Sequence, residues 1–179
     1  MQTAAPRLIL LAPMEGLADP LMRNVLTAVG GYDWGICEFI RVTESVLPNR
    51  TFLRTCPELL NASRTETGTP MRVQLLGSDP HFMAANARRV VKHRPAGVDI
   101  NFGCPVKKVV NGHAGSALMR DEVHASKILE ATVKAVKLPV TLKMRMAGVQ
   151  VTSEGRDIRH GRRGPDPTPP TRDDDPTSR

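Results

Sequence analysis

Short apolar runs alternate with stretches of helical period along residues 8 to 145, and that alternation sets the fold class. Leu8 to Ala12 is unbroken and stops at Pro13, the length and composition of a buried strand. Asp19-Pro20 then supplies a helix start: a carboxylate able to accept from free N–H groups and a proline suited to the first turn, with Leu21, Val25 and Val29 at helical spacing and Gly30-Gly31 as the stop. Gly35 to Ile40 is a second strand. Residues 48 to 64 show no clean period and read as a long irregular connection. Met71 to Leu76 is a third strand, and Asp79-Pro80 opens a second capped helix with Met83, Ala87, Val90 and Val91 inward and Arg88, Arg89 and Lys92 outward. Gly97 to Asn101 is the fourth strand. A helix from about Asp121 to Lys137 follows, with Ala125, Ile128, Leu129, Thr132 and Val136 on one face and a Glu130–Lys134 pair outside. Pro139 to Arg145 is the fifth strand.

Strands alternating with helices predict an α/β fold: a parallel sheet with right-handed crossovers, of the (β/α)8 TIM-barrel type, with only the first five strands present. The length agrees with a partial barrel, since 179 residues fall short of the about 250 that a closed one usually needs. From Gly148 the composition changes. Residues 149 to 179 lack leucine, lysine, phenylalanine and tyrosine, and their only large aliphatics are Val149, Val151 and Ile158. Such a segment buries too little surface to offset its ordering entropy. The expected organisation is therefore residues 1–147 as the N-terminal part of a barrel and 148–179 as a disordered tail.

Charge adds a partner class. The net charge of +7 resides in residues 1 to 148, because the tail balances its arginines with acids; a basic body suits RNA or a phosphate-bearing cofactor. Cys37, Cys56 and Cys104 are odd in number and form no C-x-x-C pair, which argues against a disulfide framework or a zinc site and suits a reducing cytoplasm. His81, His113 and His124 have no metal-ligand spacing and read as surface residues, so no metal is expected. The early apolar run is too short for a leader or a membrane span.

Candidate chemistry gathers at strand ends. A barrel interior reads as aliphatic, yet Pro13 to Glu15 follow strand one, Glu38 lies in strand two, Gln74 in strand three, Asn101 and Cys104 at strand four, and Lys143 and Arg145 in strand five. In a parallel sheet these converge on the carboxyl rim, where such folds place their sites. Cys104 stands on a Gly-Cys-Pro turn near Lys107 and Lys108, a positive setting for a thiol. The Asn111 to Ser116 loop (NGHAGS) offers backbone N–H groups suited to an anion, although it matches no dinucleotide or P-loop fingerprint.

APMEG at 12–16, VQLLG at 73–77, DINFGCPVKKVVNGHAGSALM at 99–119 and KMR at 143–145 together resemble the tRNA-dihydrouridine synthases. The segments CEFIRVTESVLP and CPELLNASRTETGTPMRVQLLG are most similar to the DusC-like branch, the tRNA-dihydrouridine(16) synthases. This resemblance implies an FMN-containing barrel with NADPH as reductant and tRNA as substrate, the uridine being reduced to 5,6-dihydrouridine, at position 16 by the branch. It implies Cys104 as proton donor, Pro13, Met14 and Glu15 lining the flavin, Gln74 and Lys143 on its ring, and Asn101 positioning flavin or uracil, with Arg145 in the same set. Glu38 would orient tRNA, and Lys107 and Lys108 fall to the RNA side. The resemblance ends just after Arg145, so the chain reads as a C-terminally truncated member. Two other readings stay open: a non-catalytic RNA-binding or partner-dependent fragment, and a different flavin-dependent barrel oxidoreductase, which the Gly-Cys-Pro loop and the NASRT segment disfavour.

Overall fold

The computed structural model describes residues 7–145 and, beyond them, the strands Val149–Val151 and Asp157–Arg159. The chain divides after Arg145 into two units. The first carries six strands: β1 Leu10–Leu11, β2 Trp34–Ile36, β3 Ile40–Arg41, β4 Met71–Leu76, β5 Val98–Asn101 and β6 Val140–Lys143. All neighbours are parallel, in the order β1-β2-β4-β5-β6 with β3 also on β4. This is a half-barrel with helices on one face, as the alternation predicts. In the second unit β7 (Val149–Val151) and β8 (Asp157–Arg159) pair antiparallel; the rest of the expected disordered tail lies outside the described residues.

The helices are α1 Pro20–Val29, α2 Asn49–Thr55, α3 Pro80–Val91, α4 Lys107–Val110 and α5 Glu122–Ala135. Asp19 accepts from Met22 N (2.8 Å), Asp79 from Phe82 N (2.9 Å) and Asp121 from His124 N (2.9 Å), so the three long helices share one capping device. Met83, Ala87 and Val90 of α3 and Ile128 of α5 pack with Met71, Val73, Leu75, Val98 and Ile100 in one core between sheet and helices. Burying each of these side chains other than Ala87 contributes about 1.5–3 kcal/mol.

Several expectations change. Residues 48 to 64 are not irregular: α2 and a 3₁₀ turn over Pro57–Leu60 occupy them. Phe52 and Cys56, four apart and fully buried, supply the inward side that the polar neighbours masked. The first strand is paired only at Leu10–Leu11, and Leu8, Ile9 and Leu10 are exposed because β1 is an edge among the described residues. On α1 the Leu21–Val25–Val29 stripe faces out, 73%, 53% and 84% exposed, while Arg23 and Thr27 form the buried side. Arg23 is satisfied there by Glu58 (2.7 and 2.9 Å) and by the carbonyls of Ala18 and Thr55.

The expected second strand is split. Ile36 pairs with Arg72 and Ile40 with Leu75, so four steps on one side match three on the other, and one extra residue forms a bulge. Glu38 stands in it and accepts from Gly16 N at 2.6 Å, tying the loop after β1 to the bulge.

Candidate active site

Side chains alternate between the two faces of a strand. Since Val73, Leu75, Val98 and Ile100 face the helices, Arg72, Gln74, Leu76, Asp99 and Asn101 face the barrel side, with Thr141 and Lys143 on β6 by register. The barrel side of this half is thus mainly polar, contrary to the expected aliphatic interior. Gln74, Asp99 and Thr141 form one register row, and Asn101 and Lys143 stand one row nearer the carboxyl rim.

These residues are joined. Thr141 Oγ1 donates to Asp99 Oδ1 (2.5 Å), Gln74 Nε2 to Asp99 Oδ2 (2.6 Å) and Asn101 Nδ2 to Gln74 Oε1 (2.9 Å); Asn101 Oδ1 accepts from Gly103 N (2.9 Å) and Cys104 N (3.0 Å). Burial raises the Asp99 carboxyl above its ordinary range, partly offset by the Gln74 and Thr141 hydrogen bonds and by the charges of Arg72 and Lys143. Arg72 lies over the Trp34 ring at 3.7 Å, and desolvation lowers its pKa while Asp99 opposes that.

The turn bearing Cys104 is fastened on every side. Besides its two N–H groups on Asn101, the Gly103 carbonyl accepts from Arg145 Nε (2.5 Å) and the Cys104 carbonyl from Ser116 N (2.9 Å). Below it pack Leu76, Val109 and Ala114. Gly115 is required where the loop crosses: at φ +61° a Cβ would sit 2.5 Å from the Cys104 carbonyl oxygen and 2.8 Å from Val109. The NGHAGS loop is consequently not an open anion cradle. Asn111, Gly112, His113 and Ala114 donate their N–H groups to carbonyls of residues 107 to 110, and Ser116 donates to Cys104. The loop is a cover for the turn, built from α4 and a 3₁₀ turn over Gly115–Arg120.

A cavity of about 180 Å³ opens at the rim, lined by Pro13, Glu15, Gln74, Asn101, Cys104, Lys143 and Arg145, together with Phe39, Gly103, Pro105 and Val106. Most residues singled out by sequence meet there. Met14 does not line it and is exposed. Lys107 and Lys108 are exposed on α4 and also stand outside its lining; the cations beside the Gly103–Cys104 turn come from β6 and its end, because Lys143 Nζ and Arg145 Cγ approach Gly103. Lys143 is half-buried and has no carboxylate partner among the described residues. Cys104 is 8% exposed, and all three cysteines are free thiols. His124 is half-buried rather than on the surface, its Nε2 2.6 Å from the Ser78 carbonyl oxygen.

A larger cavity, about 510 Å³, lies on the other side of the loop and is lined by Arg41, Glu44, Ser78, Asp79 and His124, among others. It lacks the cysteine, and its Arg41 is engaged by the Lys108 carbonyl (3.3 Å). Among the described residues no group of three or more His, Cys, Asp or Glu could hold a metal, and no helix is long and apolar enough to cross a membrane.

Asp99, Thr141 and Arg72 were missed by reading strand ends alone. The signal available was the period of two, since each shares parity with Gln74, Asn101 or Lys143.

The family model for dihydrouridine synthase matches residues 10–154, past the Arg145 limit drawn from the motifs. A tRNA-dihydrouridine(16) synthase of Ralstonia nicotianae is 51% identical over 148 residues, covering 81% of this chain and 45% of that protein. Those of Aquipseudomonas alcaligenes and Salmonella typhimurium are 47% and 49% identical, each over 77% of this chain and 44% and 45% of theirs. The chain thus spans less than half the length of these curated relatives.

Proposed function

Because the chain belongs to the dihydrouridine synthase family, we propose that its rim cavity is part of a site that reduces uridine to 5,6-dihydrouridine in tRNA, with FMN as cofactor and NADPH as reductant. The observation that carries this is the convergence of Pro13, Glu15, Gln74, Asn101, Cys104, Lys143 and Arg145 on one cavity.

The donor set suits the polar edge of a flavin ring. Lys143, half-buried and without a carboxylate partner among the described residues, offers a cation to electronegative ring atoms, with Pro13, Glu15 and Asn101 lining the cavity. When bound, reduced FMN would supply the hydride that adds to C6 of a uracil. Cys104 gives its thiol proton to C5, so the C5–C6 double bond becomes a single bond carrying one added hydride and one added proton. The thiolate left behind shares its cavity with Lys143 and Arg145, and solvent returns its proton. Gln74, whose amide is bonded at both ends inside the protein, supports Asn101. Arg145 holds the Gly103 carbonyl and so the turn.

The nucleobase must leave its stack to reach the thiol. Lys107 and Lys108, exposed on α4, and Glu38, beside the cavity, form the RNA-facing set of this reading. Binding through such cations should weaken as salt rises, and the branch of the relatives points to nucleotide 16.

The test is to purify the chain, measure FMN per protein, follow NADPH oxidation with unmodified tRNA and detect dihydrouridine by mass spectrometry. Flavin binding with product, and loss of product but not flavin in Cys104→Ala, is the expected result. Absence of flavin would favour a non-catalytic RNA-binding fragment, NADPH oxidation without dihydrouridine a different flavin enzyme, and full activity in Cys104→Ala would remove the acid role.

A further inference from the structure

We propose that Asp99 is a positioning residue which fixes the orientation of the Gln74 and Asn101 amides and, through them, the turn that carries Cys104. The inference rests on the proposed function for its relevance to catalysis, but its geometry stands independently.

An amide side chain can present its oxygen or its nitrogen in either direction, and only its partners decide. At the rim, two backbone N–H groups, those of Gly103 and Cys104, point at Asn101. Backbone N–H groups only donate, so Asn101 must turn Oδ1 toward them and Nδ2 toward Gln74. Gln74 must then present Oε1 to Asn101, which sends its own Nε2 toward the sheet interior. There it needs an acceptor in a place with no water: Gln74 is fully buried and Asp99 is 1% exposed. Asp99 Oδ2 is that acceptor at 2.6 Å, and Thr141 Oγ1, in the same register row, donates to the other oxygen. An acceptor at position 99 is consistent with one amide arrangement only, the one that leaves Asn101 Oδ1 on the turn.

An apolar residue at 99 would remove that preference. Gln74 Nε2 would be buried without a partner and the Gln74 side chain would leave this line to find one, so Asn101 Nδ2 would lose its acceptor and Asn101 Oδ1 would be held less firmly on the Gly103 and Cys104 N–H groups. Asparagine at 99 preserves the arrangement: its Oδ1 accepts from Gln74 and its Nδ2 donates to the Thr141 hydroxyl, which is able to accept. A role confined to filling space predicts the opposite ranking, with leucine the better replacement in a buried site.

Amide hydrogen exchange by NMR on the full chain separates these cases, because opening of a local hydrogen bond is read at its own N–H. Met83 N, bonded to the Asp79 carbonyl at 2.9 Å away from the site, serves as internal reference. In Asp99→Leu we expect protection at Gly103 and Cys104 to fall about tenfold relative to Met83, the size of one buried hydrogen bond, whereas Asp99→Asn keeps the wild-type ratio within about threefold. Gln74→Met, which cuts the relay without adding a charge, should reproduce the leucine result, and it decides the matter if Asp99→Leu does not fold. Unchanged protection in Gln74→Met, or an asparagine variant as exposed as the leucine variant, would overturn the proposal. The readout requires neither flavin nor RNA, so its failure is distinct from failure of the proposed function.

Discussion

Glu58→Ala should be strongly destabilising although Glu58 lies outside the rim cavity. Arg23 is wholly buried beneath α1, and its guanidinium meets Glu58 Oε1 and Oε2 at 2.7 and 2.9 Å and the carbonyls of Ala18 and Thr55 at 2.7 and 3.0 Å. Burial alone would lower the Arg23 pKa, but the Glu58 hydrogen bonds and charge raise it beyond the ordinary value. Removing Glu58 leaves a buried cation facing only two carbonyls, a loss of about 3–5 kcal/mol, against a total stability of roughly 5–15 kcal/mol for a domain. At about 2–4 °C per kcal/mol the midpoint should drop roughly 6–20 °C. Glu58→Gln keeps an acceptor and should cost about 1–3 kcal/mol. The double change Arg23→Met with Glu58→Leu removes both charges and should recover most of the loss, short of about 1 kcal/mol for each carbonyl left without a donor. Urea unfolding of the wild type, Arg23→Met, Glu58→Leu and the double variant at neutral pH closes a cycle and gives the coupling energy directly. A Glu58→Ala loss below about 1 kcal/mol, or a double variant as unstable as the sum of the singles, would refute the reasoning.

Asp99 supplies a pH-dependent prediction. Its folded pKa is raised, so the folded state holds the proton longer than the unfolded state, and its contribution falls as pH rises from the ordinary carboxylate value through the raised one. Asp99→Asn lacks this term, so its stability relative to wild type should improve across that window and level off above it; a difference flat from pH 3 upward would contradict the shift. Gly115→Ala should cost about 1–3 kcal/mol from the left-handed backbone and the contact with the Cys104 carbonyl, with faster alkylation of Cys104 as the loop lifts. Leu21→Lys with Val25→Glu should change unfolding stability by less than about 0.5 kcal/mol, because both side chains are exposed; a larger loss in urea would mean the stripe is packed in solution.

Strand and helix order was legible because apolar runs and Asp caps act locally: Asp19, Asp79 and Asp121 each serve an N–H three residues on. Most of the rim set was legible for a related reason, since parallel strands bring their ends together whatever lies between. Apart from α2, whose two inward residues are outnumbered by polar neighbours, what escaped depended on distant partners. The inward side of α1 is Arg23, a residue that sequence assigns to solvent until Glu58, thirty-five positions away, makes its burial tolerable. The relay from Thr141 to Cys104 requires the register of three strands, and Lys107 and Lys108 lie near Cys104 in sequence while the structure turns other cations toward it.

The extra residue between Ile36 and Ile40 has a consequence for how this chain tolerates change in length. It acts as a phase correction. Up to Ile36 the strand keeps step with Arg72, and from Ile40 it keeps step with Leu75, one count later. Deleting one residue there would leave three steps against three, so Ile40 would still meet Leu75 and, with Val42, stay with the core, but the bulge that carries Glu38 would be gone. A single-residue deletion at 37–39 is therefore expected to spare the strand register and to be felt at the loop after β1, which loses the Glu38 hold on Gly16 N, whereas substitutions at Phe39 that preserve the count are read only by the walls of its cavities. The extra residue thus serves the rim, where Glu38 holds the loop after β1, and not the core behind it.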